Sequence, residues 1–179
     1  MKEEIIIAGF GGQGVLSMGK ILAHAALLQG LELSWIPAYG PEQRGGTCHV
    51  TVILSDQRIS SPIVNSFDTA ILLNQPSLER FEDKIKPGGT LIYDGTGVRN
   101  HPSRTDIQIY RINASEYALA NQIKTSNMLI LGGLVKVRDI LLPENILLGL
   151  EKTIPTRHHH LLPMNKMALE MGKKLIQKK

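Results

Sequence analysis

The sequence predicts a single α/β domain spanning residues 1–179, with three layers, a mixed, mainly parallel sheet and a β-hairpin after the second strand. Three observations predict it. Short apolar runs rich in β-branched residues, suited to strands buried on both faces, alternate with longer stretches whose apolar residues recur at helical spacing. A glycine-rich hexapeptide stands at the first strand-to-helix junction. With 42% hydrophobic and 20% charged residues, the 179-residue chain can bury one core of its own, and its composition excludes a disordered protein.

Ile5-Ile6-Ile7-Ala8 is the first strand, and a helix follows over 15–28, where Val15, Met18, Ile21, Leu22, Ala25 and Leu28 share a face and Gly30 supplies the stop. Residues 31–36 form a second strand, giving a Rossmann-like strand–helix–strand opening with parallel strands. After a loop over 37–46, residues 47–54 alternate, with Cys48, Val50, Val52 and Leu54 on one face. Ser55-Asp56-Gln57 is a turn signal, and 58–63 is expected to return antiparallel as the hairpin. Residues 69–74 form a strand leading to a helix at Pro76-Ser77; Pro87-Gly88-Gly89 turns into a strand over 90–93, and 107–112 is the next. Helices are predicted over 115–123, 127–142, 144–150 and 164–176.

The net charge of +4 is local. Five lysines (Lys166, Lys173, Lys174, Lys178 and Lys179) face only Glu170 in the last fourteen residues, so the body of the chain is neutral. Lysines near a helix C-terminus explain that excess, and no basic stripe with aromatic platforms suggests nucleic acid. Cys48 is the only cysteine, which excludes an internal disulfide and a conventional cluster carried by this chain alone. A short apolar run after Met1 and no stretch approaching a membrane span predict a cytoplasmic protein with no membrane partner.

Gly9-Phe10-Gly11-Gly12-Gln13-Gly14 satisfies G-x-G-x-x-G between a strand and a helix. Glycines allow the tight turn and a close approach, and the free N–H groups at the helix start favour a phosphate. The same turn can also serve backbone geometry or a partner chain. A nicotinamide cofactor would want an acid at the end of the second strand, whereas Glu32 stands at its start. The loop Pro37-Ala38-Tyr39-Gly40-Pro41-Glu42-Gln43-Arg44-Gly45-Gly46 follows that strand, so it should lie at the carboxyl edge of the sheet beside the glycine turn.

Together, Gly9 to Val15 and Tyr39 to Gly46 closely resemble the gamma subunit of 2-oxoacid:ferredoxin oxidoreductases, a family acting on pyruvate, 2-oxoglutarate, branched-chain 2-oxoacids or indolepyruvate. Asn127-Met128 before Leu131-Gly132-Gly133-Leu134, and Asn165 before Ala168 and Gly172, extend the resemblance to nearly the whole chain. It implies a complex that decarboxylates a 2-oxoacid on thiamine diphosphate with magnesium, passes electrons through iron–sulfur clusters to ferredoxin and transfers the acyl group to coenzyme A. The partners it implies are alpha, beta and ferredoxin-like delta subunits, with this chain cluster-free; isolated, the chain could pair with itself. The binding residues it implies are Gly9, Gly11, Gly12, Gln13, Gly14, Tyr39, Glu42, Arg44, Gly45, Gly46 and Asn127. Among these, Arg44 is suited to a phosphate or carboxylate through its planar fork. No residue is assigned a catalytic or metal-binding role. 2-Oxoglutarate is weakly favoured as the substrate class.

Two other readings stay open: a stand-alone NAD(P)- or flavin-binding oxidoreductase, and a purely structural assembly subunit. Asp94-Gly95 with Asn121 only partly matches the Gly-Asp-Gly…Asn thiamine diphosphate pattern, since Tyr93 replaces its first glycine. His158-His159-His160 is too contiguous for three rings to close readily on one ion. Cys48 alternates onto a buried strand face and reads as core.

Overall fold

The computed structural model describes residues 1–40 and 45–179. Seven strands form one sheet: β1 (Lys2–Phe10), β2 (Glu32–Tyr39), β3 (Thr47–Ser55), β4 (Phe67–Leu72), β5 (Ile85–Asp94), β6 (Gln108–Ile112) and β7 (Gln177–Lys178). The helices are α1 (Val15–Leu28), α2 (Gln75–Phe81), α3 (Ala114–Ala120), α4 (Ser126–Val137), α5 (Pro143–Thr153) and α6 (Leu162–Leu175), with a 3-10 turn over Thr156–Leu161.

The strand order is β2-β3-β1-β4-β5-β6-β7. β1, β4, β5 and β6 pair in parallel, while β3 is antiparallel to both β1 and β2, and β7 is antiparallel to β6. The sheet is therefore mixed, with most strands running one way, as expected. β1 and β2 are parallel as expected, with β3 wedged between them.

That wedge corrects the hairpin. It is made by β2 and β3, in continuous register from Glu32↔Ser55 to Tyr39↔Cys48. Residues 58–63 form no strand; Arg58, Ser60, Ser61, Pro62 and Ile63 are exposed, so a turn signal after a strand did not bring a partner with it. Two smaller corrections concern the far half. Pro87-Gly88-Gly89 lies inside β5, where Gly88 donates to Asp106 O, instead of preceding the strand. The helix predicted over 127–142 ends at Val137, because Arg138 turns extended to reach Glu3.

The alternation of β1 divides the core. Ile5 and Ile7 face a large cluster shared with α1, α3, α4, α5 and α6, while Ile6 and Ala8 face a smaller one built on Leu78 and Phe81 of α2. The three layers are thus lopsided. α1, which follows β1, and α2, which follows β4, lie on opposite faces of the sheet. The connections diverge between the carboxyl ends of two neighbouring parallel strands, the place where open α/β sheets leave a crevice.

Candidate functional site

The glycine turn follows β1 at this carboxyl edge and opens on the side of β3. Gly12 has φ 98° and Gly14 φ 77°, left-handed values that cost a residue with a Cβ. Gly14 is also the N-cap of α1, and a Cβ there would strike the amide of Asn127. Gln13 closes the turn from within: its N–H donates to Phe10 O at 3.1 Å, and its Oε1 accepts from Phe10 N–H at 2.6 Å. No side chain caps α1 and no acid occupies its first turn, so the positive end of that helix is uncompensated.

The β2–β3 hairpin brings the second motif to the first. β1 and β3 pair from Lys2↔Ser55 to Phe10↔Thr47, which sets Cys48 opposite Gly9, and Gly11 N–H donates to Gly46 O at 2.9 Å. Around this bond lies a cavity of about 500 Å³, walled by the turn and the first residues of α1 on one side and by Tyr39, Gly46, Thr47 and Cys48 on the other. Tyr39, 69% exposed at the end of β2, stands at its rim.

Of the predicted residues, Gly11, Gly12, Gly14, Tyr39 and Gly46 meet in this cavity. Gly9 is buried beneath the turn, Gln13 has its amide oxygen engaged within the turn, and Gly45, at φ 77°, is exposed outside the lining. Asn127 leans on Gly14 from the far side and lines a neighbouring cavity. Glu42 and Arg44 lie outside the described residues. Phe10, Val15, Leu16, Ser17, Thr47 and Cys48 were missed as lining. Pairing 47–54 directly with the first strand would have found the last two.

Chemically, the cavity offers backbone N–H groups, small polar side chains and apolar walls. Its thiol is a poor nucleophile, since burial pushes the Cys48 pKa up. Glu32 pairs with Ser55 at the opposite end of β2 and β3, remote from the turn. Asp94 has its carboxylate engaged locally, accepting from Thr96 N–H at 3.0 Å and from the N–H and hydroxyl of Ser115. Asn121 is exposed and donates to Tyr117 O. Among the described residues, no group of three or more His, Cys, Asp or Glu could hold a metal ion, and no helix is long and apolar enough to cross a membrane.

A family model described as pyruvate ferredoxin/flavodoxin oxidoreductase matches residues 4–175. The chain is 32% identical over 182 residues to the 2-oxoglutarate synthase subunit KorC of Methanocaldococcus jannaschii, an alignment covering 98% of this chain and 96% of that subunit. It is 57% identical over 90 residues to the ketoisovalerate oxidoreductase subunit VorA of Methanothermobacter thermautotrophicus, covering 50% of this chain and 19% of that one. The match thus spans about a fifth of that much longer relative. Among solved structures, the gamma subunit of a keto/oxoacid ferredoxin oxidoreductase from Geobacter sulfurreducens PCA superposes with a TM-score of 0.84 at 26% identity, covering 98% of this chain and 96% of that chain. A 2-oxoglutarate:ferredoxin oxidoreductase from Magnetococcus marinus, solved with 2-oxoglutarate, coenzyme A and succinyl-CoA bound, superposes with a TM-score of 0.87 at 27% identity, covering 97% of this chain and 31% of that chain.

Proposed function

This chain belongs to the pyruvate ferredoxin/flavodoxin oxidoreductase family, and we propose that it works as the gamma subunit of a 2-oxoacid:ferredoxin oxidoreductase, with its glycine-turn cavity receiving part of coenzyme A beside the catalytic chains. The observation that carries the reading is the Gly11–Gly46 hydrogen bond, which joins the two specific motifs into one cavity at an uncompensated helix start. Such a place suits a phosphate-bearing acyl carrier. Free backbone N–H groups would hold phosphate oxygens, while Phe10, Leu16 and Tyr39 would keep water from the carrier's arm. A protonated Cys48 would stay chemically inert beside a thioester.

Thiamine diphosphate with magnesium and the iron–sulfur clusters would sit on alpha, beta and delta chains, supplying decarboxylation and electron transfer to ferredoxin. This chain, with one cysteine, would take no electrons itself. The full-length likeness to a 2-oxoglutarate synthase subunit favours 2-oxoglutarate. The higher identity over half the chain to a ketoisovalerate subunit favours a branched-chain 2-oxoacid as the second reading.

The test is ferredoxin reduction by the assembled complex, driven by 2-oxoglutarate or by 3-methyl-2-oxobutanoate, with and without coenzyme A. Coenzyme-A-dependent turnover on either acid is expected. Tight binding of NAD(H) or FAD by the chain alone, in calorimetric titration, would overturn the reading. Arg44→Ala should lower turnover in a complex that still assembles. Unchanged turnover would remove Arg44 from ligand binding, and failed assembly would favour a purely structural subunit.

A further inference from the structure

At the far end of the sheet, beside β6 and the short β7, a cavity of about 390 Å³ opens between the end of β6, α3 and the end of α6. It shares no residue with the glycine-turn cavity. Its wall carries one cation, Arg111, and one carboxylate, Glu116. Opposite charges so placed would ordinarily close on each other, yet they form no ion pair, because Asn113 stands between them. Arg111 Nε donates to Asn113 Oδ1 at 2.9 Å, and Asn113 Nδ2 donates to Glu116 Oε2 at 3.0 Å. Both ends of the amide are engaged, so guanidinium and carboxylate are held one amide's width apart.

The fold enforces that spacing. Arg111 lies between Tyr93 of β5 and Gln177 of β7, neither of which offers it a negative charge. Gly95 N–H donates to Ile112 O at 3.0 Å, which lays the turn after β5 against the end of β6. A Cβ on Gly95 would strike both Arg111 Nε and Asn113 Oδ1, so glycine leaves the pair its room. Glu116 N–H donates to Thr96 Oγ1 at 3.3 Å and Ser115 N–H to Asp94 Oδ2 at 3.2 Å, tying the start of α3 to the same turn. Among the described residues, the terminal nitrogens of Arg111 and Oε1 of Glu116 have no hydrogen-bond partner. Tyr117, Ala120 and Leu175 supply apolar wall.

A matching ligand carries a carboxylate for Arg111, which its planar fork can bind bidentately, and an ammonium for Glu116. The oxygen and nitrogen of an amide hang on one carbon, and so do the carboxylate and ammonium of an α-amino acid, which makes the two spacings alike. We propose that this cavity binds a free, apolar α-amino acid as its zwitterion, with the side chain against Tyr117, Ala120 and Leu175. A simple carboxylate would leave Glu116 without a counter-charge, and a simple amine would leave Arg111 without one.

The experiment is calorimetric titration of the full chain, alone and assembled with its partner chains. The probes are L-leucine, 4-methylpentanoate, which lacks the ammonium, and 3-methylbutylamine, which lacks the carboxylate. L-Leucine should bind with a Kd below about 1 mM, and each analogue about tenfold more weakly. Glu116→Gln, a change on an exposed side chain, should weaken leucine by about tenfold and leave 4-methylpentanoate unaffected. Arg111→Gln should weaken leucine and spare the amine; should that variant fail to fold, Glu116→Gln alone decides. No binding of leucine by chain or complex would overturn the inference. Equal affinity for 4-methylpentanoate would also overturn it, by making the cavity a plain anion site, and so would wild-type affinity for leucine in Glu116→Gln. Leucine binding to the chain but not to the complex would overturn it too, by giving the cavity to a partner chain.

Discussion

Gly14 and Gly12 share a left-handed backbone and differ in their surroundings, which makes them a controlled pair. Gly14→Ala meets the Asn127 side chain, whereas a Cβ on Gly12 meets nothing within 4 Å. Gly12→Ala should cost about 1–2 kcal/mol from backbone alone. Gly14→Ala should cost more, since Asn127 must also move; urea denaturation of the two variants measures the difference. Equal losses would show that the Asn127 contact carries no energy. The motif was legible at this scale because glycine spacing is a sequence property. Its division of labour was not, because Gln13 looks like a ligand-facing polar residue until its amide oxygen is seen accepting from Phe10 N–H. Cys48 was correctly assigned to a buried face, yet it also lines the cavity, and only the β1–β3 register shows that.

At the scale of elements, the glycines of the later motifs serve packing. A Cβ on Gly132 of α4 would collide with Leu169 O, and one on Gly172 of α6 with Leu129 O. The two helices approach backbone to backbone, as these glycines permit. Gly132→Ala or Gly172→Ala should therefore destabilise the fold by about 1–3 kcal/mol, read from denaturant midpoints, through helix separation. Most strands and helices were legible because their periodicity is local. The hairpin was misplaced because strand pairing is decided by distant partners, and 58–63 carried a turn signal without a partner. One strand contact predicts a pH effect. His49 of β3 packs against Phe81 with ring centroids 5.3 Å apart and the planes tilted by 57°, and burial, reinforced by Arg80 and Lys84, holds its pKa below the ordinary imidazole range. Above that range both states are neutral and His49 is silent. As pH falls through it, the unfolded chain protonates first, so stability declines until the folded ring titrates at its lower value. The urea midpoint should drop between about pH 7.5 and 5.5, and His49→Phe should shrink that drop. An identical drop in the variant would acquit His49.

For the whole molecule, the layers carry unequal loads: five helices pack on one face of the sheet and α2 on the other, and the two motifs meet on the β3 side of β1, between the start of α1 and the end of the β2–β3 hairpin. Expecting the glycine turn and the Tyr39–Gly46 connection at one edge was sound, since both follow carboxyl ends of parallel strands. Their direct bonding needed β3 between those strands, a topology that no local pattern announces. That wedged strand also orders events in time. β2 and β3 are joined by a short connection and can zip together alone, within about 1–10 μs as hairpins do. Pairing β3 with β1 must await closure of the longer loop that contains α1. The Gly11–Gly46 bond can form only after that docking, so on refolding the cavity is a late arrival, completed when the hairpin swings against a strand synthesised well before it.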